Sequence, residues 1–323
     1  MREVLFVKHN SKKWEAYEKV KTQDPDELAL QFITITDDLA YAKTFYPKSK
    51  VTAYLNGLAS KYHQSIYKNK KEKSQRFLLF WKYELPLLFK KHEKLLLYSF
   101  LFFLSFSLIG ALSAKYDDTF VRLIMGDGYV NMTNENIANG DPFGVYKQEG
   151  PFFMFFAIAA NNIYVSFYTF VLGFLVSIGS VFSLLRNGIM LGSFQYYFFS
   201  HGLGWQSVLV IWIHGTLEIS AIVIAGAAGM ILGNSILFPK TFKRIESVKR
   251  GAKDGTKIII GLIPIFIIAA FLEGFVTRHT EMPTWLSILI LSTSLLFILW
   301  YVILYPNLII NSNNQTKTYG SEN

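Results

Sequence analysis

His214 and Glu218 stand four residues apart in a stretch apolar enough for lipid. On a helix that spacing puts both side chains on one face. An imidazole beside a carboxyl can pass a proton, bind a ligand or serve as half of a metal set. An ionisable group at the middle of a membrane helix costs about 2.5–3.5 kcal/mol on insertion scales, so it needs a partner or a purpose. Two roles compete. One is a proton- or ligand-responsive site in the membrane. The other is an interhelical polar clamp with Asn161, Asn162 or Gln195 as partner. Such clamps average only about 0.6 kcal/mol per contact, and the clamp is the commoner use of such residues. His-x-x-x-Glu is also half of a zinc-type set. No second His or acidic cluster completes it along the sequence, so no metal and no cofactor is expected. Glu273 joins the intramembrane polar set. With Arg278 and His279 just beyond it, it reads first as an acid snorkelling to the interface.

The elements that must hold these groups are apolar runs. Leu95–Ser113 is the first expected span, and it carries no charge. Ile163–Leu185 is the second, ending at Arg186. Gly188–Ser200 is a short third, Trp205–Gly233 the fourth, Ile258–Val276 the fifth and Trp285–Tyr305 the sixth. About 20 apolar residues suffice to cross a bilayer. Pro151–Ala160 is too short to cross, and reads as a re-entrant piece or the start of a long tilted helix. Gly188-x-x-x-Gly192 and Ala225-x-x-x-Gly229-x-x-x-Gly233 are small-residue seams for close helix contact. They serve packing within one chain more often than a face between copies, although a homo-oligomer stays open. Gly251-x-x-x-Gly255 matches the same pattern but is expected in a loop.

Before the first span, residues 1–74 read as a small helical domain. Ser11 is a candidate cap for a helix through Val20. Asp24-Pro25-Asp26-Glu27 is a second start signal, with Pro at the first helical position. Pro47 stops that helix, and a third follows from Val51 to the charged Lys68–Lys73 stretch. Residues 75–94 carry Phe77, Trp81, Leu85 and Leu88 on one side, and read as an interfacial amphipathic helix. Phe242, Ile245, Val248 and Ala252 form a second such stripe. The transmembrane bundle is expected over 95–310, and residues 311–323 as a disordered tail inside the cell.

Composition agrees with a multi-span protein: 323 residues, 51% hydrophobic and only 17% charged. The net charge of +9 is unevenly placed. Residues 1–94 hold nineteen basic against eleven acidic side chains, and 240–257 hold seven against two. Residues 114–150 hold three against six. Basic loops stay in the cytoplasm, so this asymmetry orients the chain rather than reporting nucleic acid. The expected fold is therefore all-α, a polytopic helical bundle of about six spans with a small cytoplasmic N-terminal domain. The first long apolar run starts near Leu95, so no cleaved signal is expected. Cysteine is absent, which excludes disulfides and thiolate chemistry. No phosphate loop or nucleophile elbow is present, and a non-enzymatic role is expected.

Taken in order, Asn161-Asn162, Gly173, Gly179, Asn187-Gly188-x-x-x-Gly192, His214-Gly215-x-x-Glu218, Ala225-Gly226-Ala227-Ala228-Gly229 and Glu273-Gly274 resemble the stage II sporulation protein M family of bacterial membrane proteins. The soluble part is similar too, in Trp14, Asp38-Leu39-Ala40-x-Ala42 and Tyr54-Leu55-Asn56-x-Leu58. The proline that often precedes the His-Gly pair is Ile213 here. The resemblance implies a scaffold or complex subunit in the bacterial inner membrane. By the same resemblance its partners would be cell-wall hydrolases or a MoxR-type ATPase system, in cell-envelope remodelling. A transporter or channel-like subunit using the His/Glu site is the alternative.

Overall fold

The computed structural model describes residues 2–19, 24–67, 75–147, 149–279 and 282–320. The chain divides into two compact units, Met1–Arg76 and Phe77–Asn323. Among the described residues the secondary structure is helical and contains no strand.

The first unit packs α1 (Glu3–Lys19), α2 (Pro25–Phe45) and α3 (Lys50–Tyr67) around one core. Helix α1 starts eight residues before the expected cap, and Ser11 lies inside it. The cause is Phe6. It is buried against Trp14 at 5.4 Å and stacks on Tyr41 at 5.0 Å, which draws the first two turns into the core. The expected end at Val20 and the Lys68–Lys73 stretch lie outside the described residues. Helix α2 starts as its sequence predicts, with Asp24 accepting a hydrogen bond from the Asp26 N–H at 3.0 Å. Buried Trp14 donates its indole N–H to Asp38 at 2.8 Å, so its one polar atom is satisfied.

The second unit is a helical membrane bundle. It takes in α4 (Gln75–Leu79) from Phe77 on, then α5 (Leu85–Lys91), α6 (Glu93–Tyr116), α7 (Asp118–Met125), α8 (Asp127–Ala138), α9 (Pro151–Val171), α10 (Ile178–Ser200), α11 (Gly204–Leu237), α12 (Arg244–Phe271), α13 (Thr284–Leu299) and α14 (Tyr305–Gly320). Among the described residues five helical stretches are long and apolar enough to cross a membrane: Glu93–Tyr116, Pro151–Phe174, Gly204–Leu237, Arg244–Thr277 and Thr284–Ser312.

The third expected span, Gly188–Ser200, corresponds to none of these five, and the boundaries nearby move. Residues 151–160 are the first half of α9. The chain then reverses at Leu175–Ser177, inside what the sequence suggests is one span. Val176 and Ser177 take φ of 47° and 72° there, a left-handed backbone that β-branched residues avoid. No proline or charged residue marks this turn, so hydropathy runs straight through it. Helix α10 is therefore 23 residues rather than thirteen. At 1.5 Å per residue it is about 34 Å long, enough to cross. Arg186, Asn187 and Gln195 make it more polar than the five others.

Helix α11 is the axis. From Ala221 to Gly233 every residue is buried, as in a helix surrounded by others. The small-residue seams lie where backbones touch. A Cβ at Gly192 would land on the Ser107 carbonyl oxygen of α6, and one at Gly188 on Phe106 at 2.9 Å. At Gly229 it would meet Ser180 and the Thr169 carbonyl, at Gly233 the Ser177 backbone, and at Gly226 Leu184 and Ser99. Ala225 is fully buried beside them. Gly251 and Gly255 are not in a loop. Both are buried in α12, against Ser235 and against Phe170 and the Ala228 carbonyl.

The two segments read as interfacial are also drawn into the bundle. Leu85, Leu88 and Phe89 are buried in the main core. Trp81 donates its indole N–H to the Gly261 carbonyl at 3.2 Å, and its own carbonyl accepts from Tyr301 at 2.6 Å. Lys257 pairs with Glu84, and Lys91 pairs with Asp254 at 2.6 Å. Of the second stripe, Val248 and Ala252 lie in the first part of α12, continuous with the span, and pack on the main core, while Phe242 and Ile245 stay exposed. At the C-terminus α14 runs to Gly320, past the expected boundary at 310, because no proline or glycine interrupts Asn307–Tyr319. Residues 321–323 lie outside the described residues.

Candidate functional site

Helix α11 carries His214 about 15 Å, or ten residues, from its start. Glu218 follows one turn on, facing the same way. The third member comes from α12. Past Phe271 that helix widens into a π-helical turn, Leu272–Thr277. Wide turns of this kind are frequent at functional sites. Here the turn brings both Glu273 and Thr277 to His214. His214 Nε2 lies 3.7 Å from Glu273 Oε2, and His214 Nδ1 lies 3.0 Å from Thr277 Oγ1. One ligand atom each from His214, Glu218 and Glu273 lie within 4.8 Å of one another. Glu273 therefore points into the bundle instead of snorkelling to its edge. Its side chain is only 16% exposed, against 5% for His214.

Helix α9 supplies the remaining wall. Asn162 is buried and lies within reach of Glu218, yet its Nδ2 makes no hydrogen bond of ordinary geometry. Neighbouring Asn161 is exposed and touches the site only by donating to Asn162 Oδ1 at 3.5 Å. The acidic segment between α6 and α9 closes the end. Its short 3₁₀ turn, Gly144–Lys147, sets the Tyr146 ring edge-on to His214 with centroids 5.8 Å apart. Burial, reinforced by the nearby Glu273 carboxylate, raises the Tyr146 phenol well above its ordinary value of 10.0, so it stays protonated. Phe143 and Tyr146 pack with Tyr197 and Phe198 of α10 as one aromatic cap.

Gln195 and Asn187 do not join this site. Gln195 donates to Ser207 Oγ at 2.7 Å and accepts from Trp212 Nε1 at 2.8 Å, a clamp between α10 and α11. Asn187 donates to the Ser183 carbonyl of its own helix at 2.8 Å. Gly215 has open space beside it, its nearest contact being Ile219 at 3.9 Å. Thr277 and Tyr146 went unnoticed in the sequence. Only a π-helical turn and a folded-back loop bring them in, and neither leaves a periodic trace.

Two concavities flank α11. An apolar groove of about 1050 Å³ runs along α6, α11 and α13. Its α11 residues, Trp212, Thr216, Ile219 and Val223, lie on the face opposite His214 and Glu218. A smaller pocket of about 160 Å³ opens among Gln206, Ile213, Thr277, His279, Thr284 and Ser287. Thr277, which contacts His214, also lines this pocket; His214, Glu218 and Glu273 do not.

Fold and site together define a class: a polytopic helical membrane protein with a buried His/Glu/Glu cluster between its central helix and the end of α12. The profile described as Stage II sporulation protein M matches residues 99–278, more than half of the chain and every residue of that cluster. The chain belongs to the stage II sporulation protein M family. The first unit separately matches a domain of unknown function, DUF8413, over residues 4–68. No curated protein sequence and no solved structure matches the chain.

Proposed function

We propose that this chain is a non-enzymatic subunit that anchors a protein complex at the bacterial cytoplasmic membrane, with its N-terminal unit in the cytoplasm, for cell-envelope work. The observation that carries this is the first unit. It has a core of its own and its own family match. Yet it leaves Leu30 and Ile33, neighbours on α2, 65% and 55% exposed. Exposed apolar side chains that form a contiguous patch are where another protein binds, and these two are the candidates for one here. The test is purification of the full chain in mild detergent. A partner should co-purify in fixed ratio from wild type and be lost from Leu30→Glu/Ile33→Glu, while helicity stays unchanged. A chain that runs alone in both forms overturns the anchor.

Orientation follows from charge, since α4–α5 and the start of α12 are basic and residues 114–150 acidic. With no native cysteine, single-Cys variants report it directly. Lys249→Cys should resist an impermeant thiol reagent in intact cells and Asn139→Cys should react. Both positions are exposed, so labelling of position 249 from outside would reverse the topology.

The second reading is ion or substrate transport through the His214/Glu218/Glu273 cluster. It is favoured by one feature: three ionisable groups on two helices meet inside the bundle.

A further inference from the structure

We propose that His214, Glu218 and Glu273 bind a divalent transition-metal ion of the zinc or manganese kind inside the bundle, with Asn162 beside it as fourth ligand or as the holder of a bound water. This stands apart from the anchoring role, which needs no metal.

The geometry comes first. Tetrahedral ligands about 2.0–2.2 Å from a zinc ion lie about 3.4 Å from one another. His214 Nε2 and Glu273 Oε2 are already 3.7 Å apart, and the whole set lies within 4.8 Å. Small rotations of the two Glu side chains would close the rest. The ligand types also fit. One imidazole nitrogen and two carboxylates suit zinc or manganese and disfavour copper(I), which prefers sulfur.

The imidazole is oriented as a ligand would be. Its Nδ1 faces Thr277 Oγ1 at 3.0 Å, leaving Nε2 toward Glu273. Metal-bound histidines donate their other N–H to an oxygen in this way, which fixes the tautomer. Tyr146, set against the ring, restrains its rotation.

Charge supplies the second argument. Among the described residues neither carboxyl pairs with a lysine or arginine. Two ionised carboxylates in a low-dielectric interior need a compensating charge of two. A divalent cation provides it, and protons are the alternative.

Asn162 supplies the third argument. It is a buried amide, 3% exposed, whose Nδ2 lies within reach of Glu218 yet makes no hydrogen bond of ordinary geometry. Orphaned buried donors are rare. Turning the amide over would place an oxygen at that position and give up only the long 3.5 Å bond from Asn161 Nδ2. An oxygen beside Glu218 is a metal or water ligand.

The test uses the full chain purified in detergent, stripped with chelator and dialysed against zinc chloride or manganese chloride alone. Bound metal is measured by mass spectrometry and the melting temperature is followed. About one equivalent per chain is expected, with a raised melting temperature. Glu218→Gln and Glu273→Gln should each weaken binding at least about tenfold, the usual scale for losing a metal-site group. Glu135→Gln, an exposed acid elsewhere, should change nothing. Metal retained equally by wild type and by Glu218→Gln/Glu273→Gln overturns the site, as does no retention by wild type. X-ray absorption on zinc-loaded wild type covers the case of variants that fail to fold. One nitrogen with two or three oxygens at about 2.0 Å supports the site, and a shell of oxygen alone overturns it. Partner co-purification is read separately, so either proposal can fail without the other.

Discussion

Gly192→Ala is expected to destabilise the protein in detergent, and Gly192→Leu more severely. The added Cβ would fall on the Ser107 carbonyl oxygen. That atom is backbone in the middle of α6, so it cannot rotate away, and the two helices must separate. Overpacking of this kind costs about 1–3 kcal/mol, occasionally more, and van der Waals contact is the chief force holding membrane helices together. Gly229→Leu should behave alike, since it meets the Thr169 carbonyl at 2.8 Å as well as Ser180. Gly251→Leu is also expected to destabilise, although less. Its nearest atoms belong to the Ser235 side chain, which can turn. Gly215→Ala is the contrast. With only Ile219 nearby at 3.9 Å, it should be neutral or stabilising by up to about 1 kcal/mol, the helix-propensity gain over glycine. Thermal unfolding in one detergent across the four sites checks the order. Equal losses at Gly192 and Gly215 would mean the α6–α10 contact is not close.

Those glycines show what a sequence can convey. Small residues every fourth position in α10 and α11 mark close approach whichever helix is the partner, so Gly188, Gly192, Gly229 and Gly233 were legible. Gly251 was misplaced because the basic residues around it suggest a loop, although a helix can start basic and continue into the membrane. The helical class and the membrane location follow from apolar length alone. The turn at Leu175–Ser177 did not follow. It is built from residues as apolar as their neighbours, and it is held by contacts of Gly173 and Ser177 with α11. In the site, His214 and Glu218 were visible because i,i+4 spacing is local. Glu273 was visible as an acid but not as their partner, since nothing in the sequence relates two helices 55 residues apart. Asn162 was found by its type and Gln195 by its position, but only Asn162 turns toward the cluster. A buried amide has many uses, and the fold selects among them.

Glu218→Gln is expected to leave folding and complex assembly intact. The substitution keeps the shape and the hydrogen-bonding capacity of the side chain while removing its ability to ionise. An anchoring role needs only a neutral polar group at this place, which glutamine supplies to Asn162. Removing groups outright should cost much more. His214→Ala strands Thr277 Oγ1 and Glu273, and Glu273→Ala strands His214 Nε2. Leaving a buried charge or donor without its partner costs about 3–5 kcal/mol for a buried pair. The two losses should therefore not add, since each mutation already destroys what the other would. A double-mutant cycle on His214 and Glu273 should show a coupling of about 0.5–3 kcal/mol. The corresponding cycle on His214 and Gln195 should show none, because Gln195 is bound to Ser207 and Trp212 instead. Cellular function then separates the two roles of the cluster. A Glu218→Gln protein that folds, assembles and supports growth keeps anchoring as the main role. One that folds and assembles yet has no function, while wild-type activity changes as pH moves through the coupled titration of the cluster, would sink anchoring as the whole account. Transport through His214, Glu218 and Glu273 would then take its place.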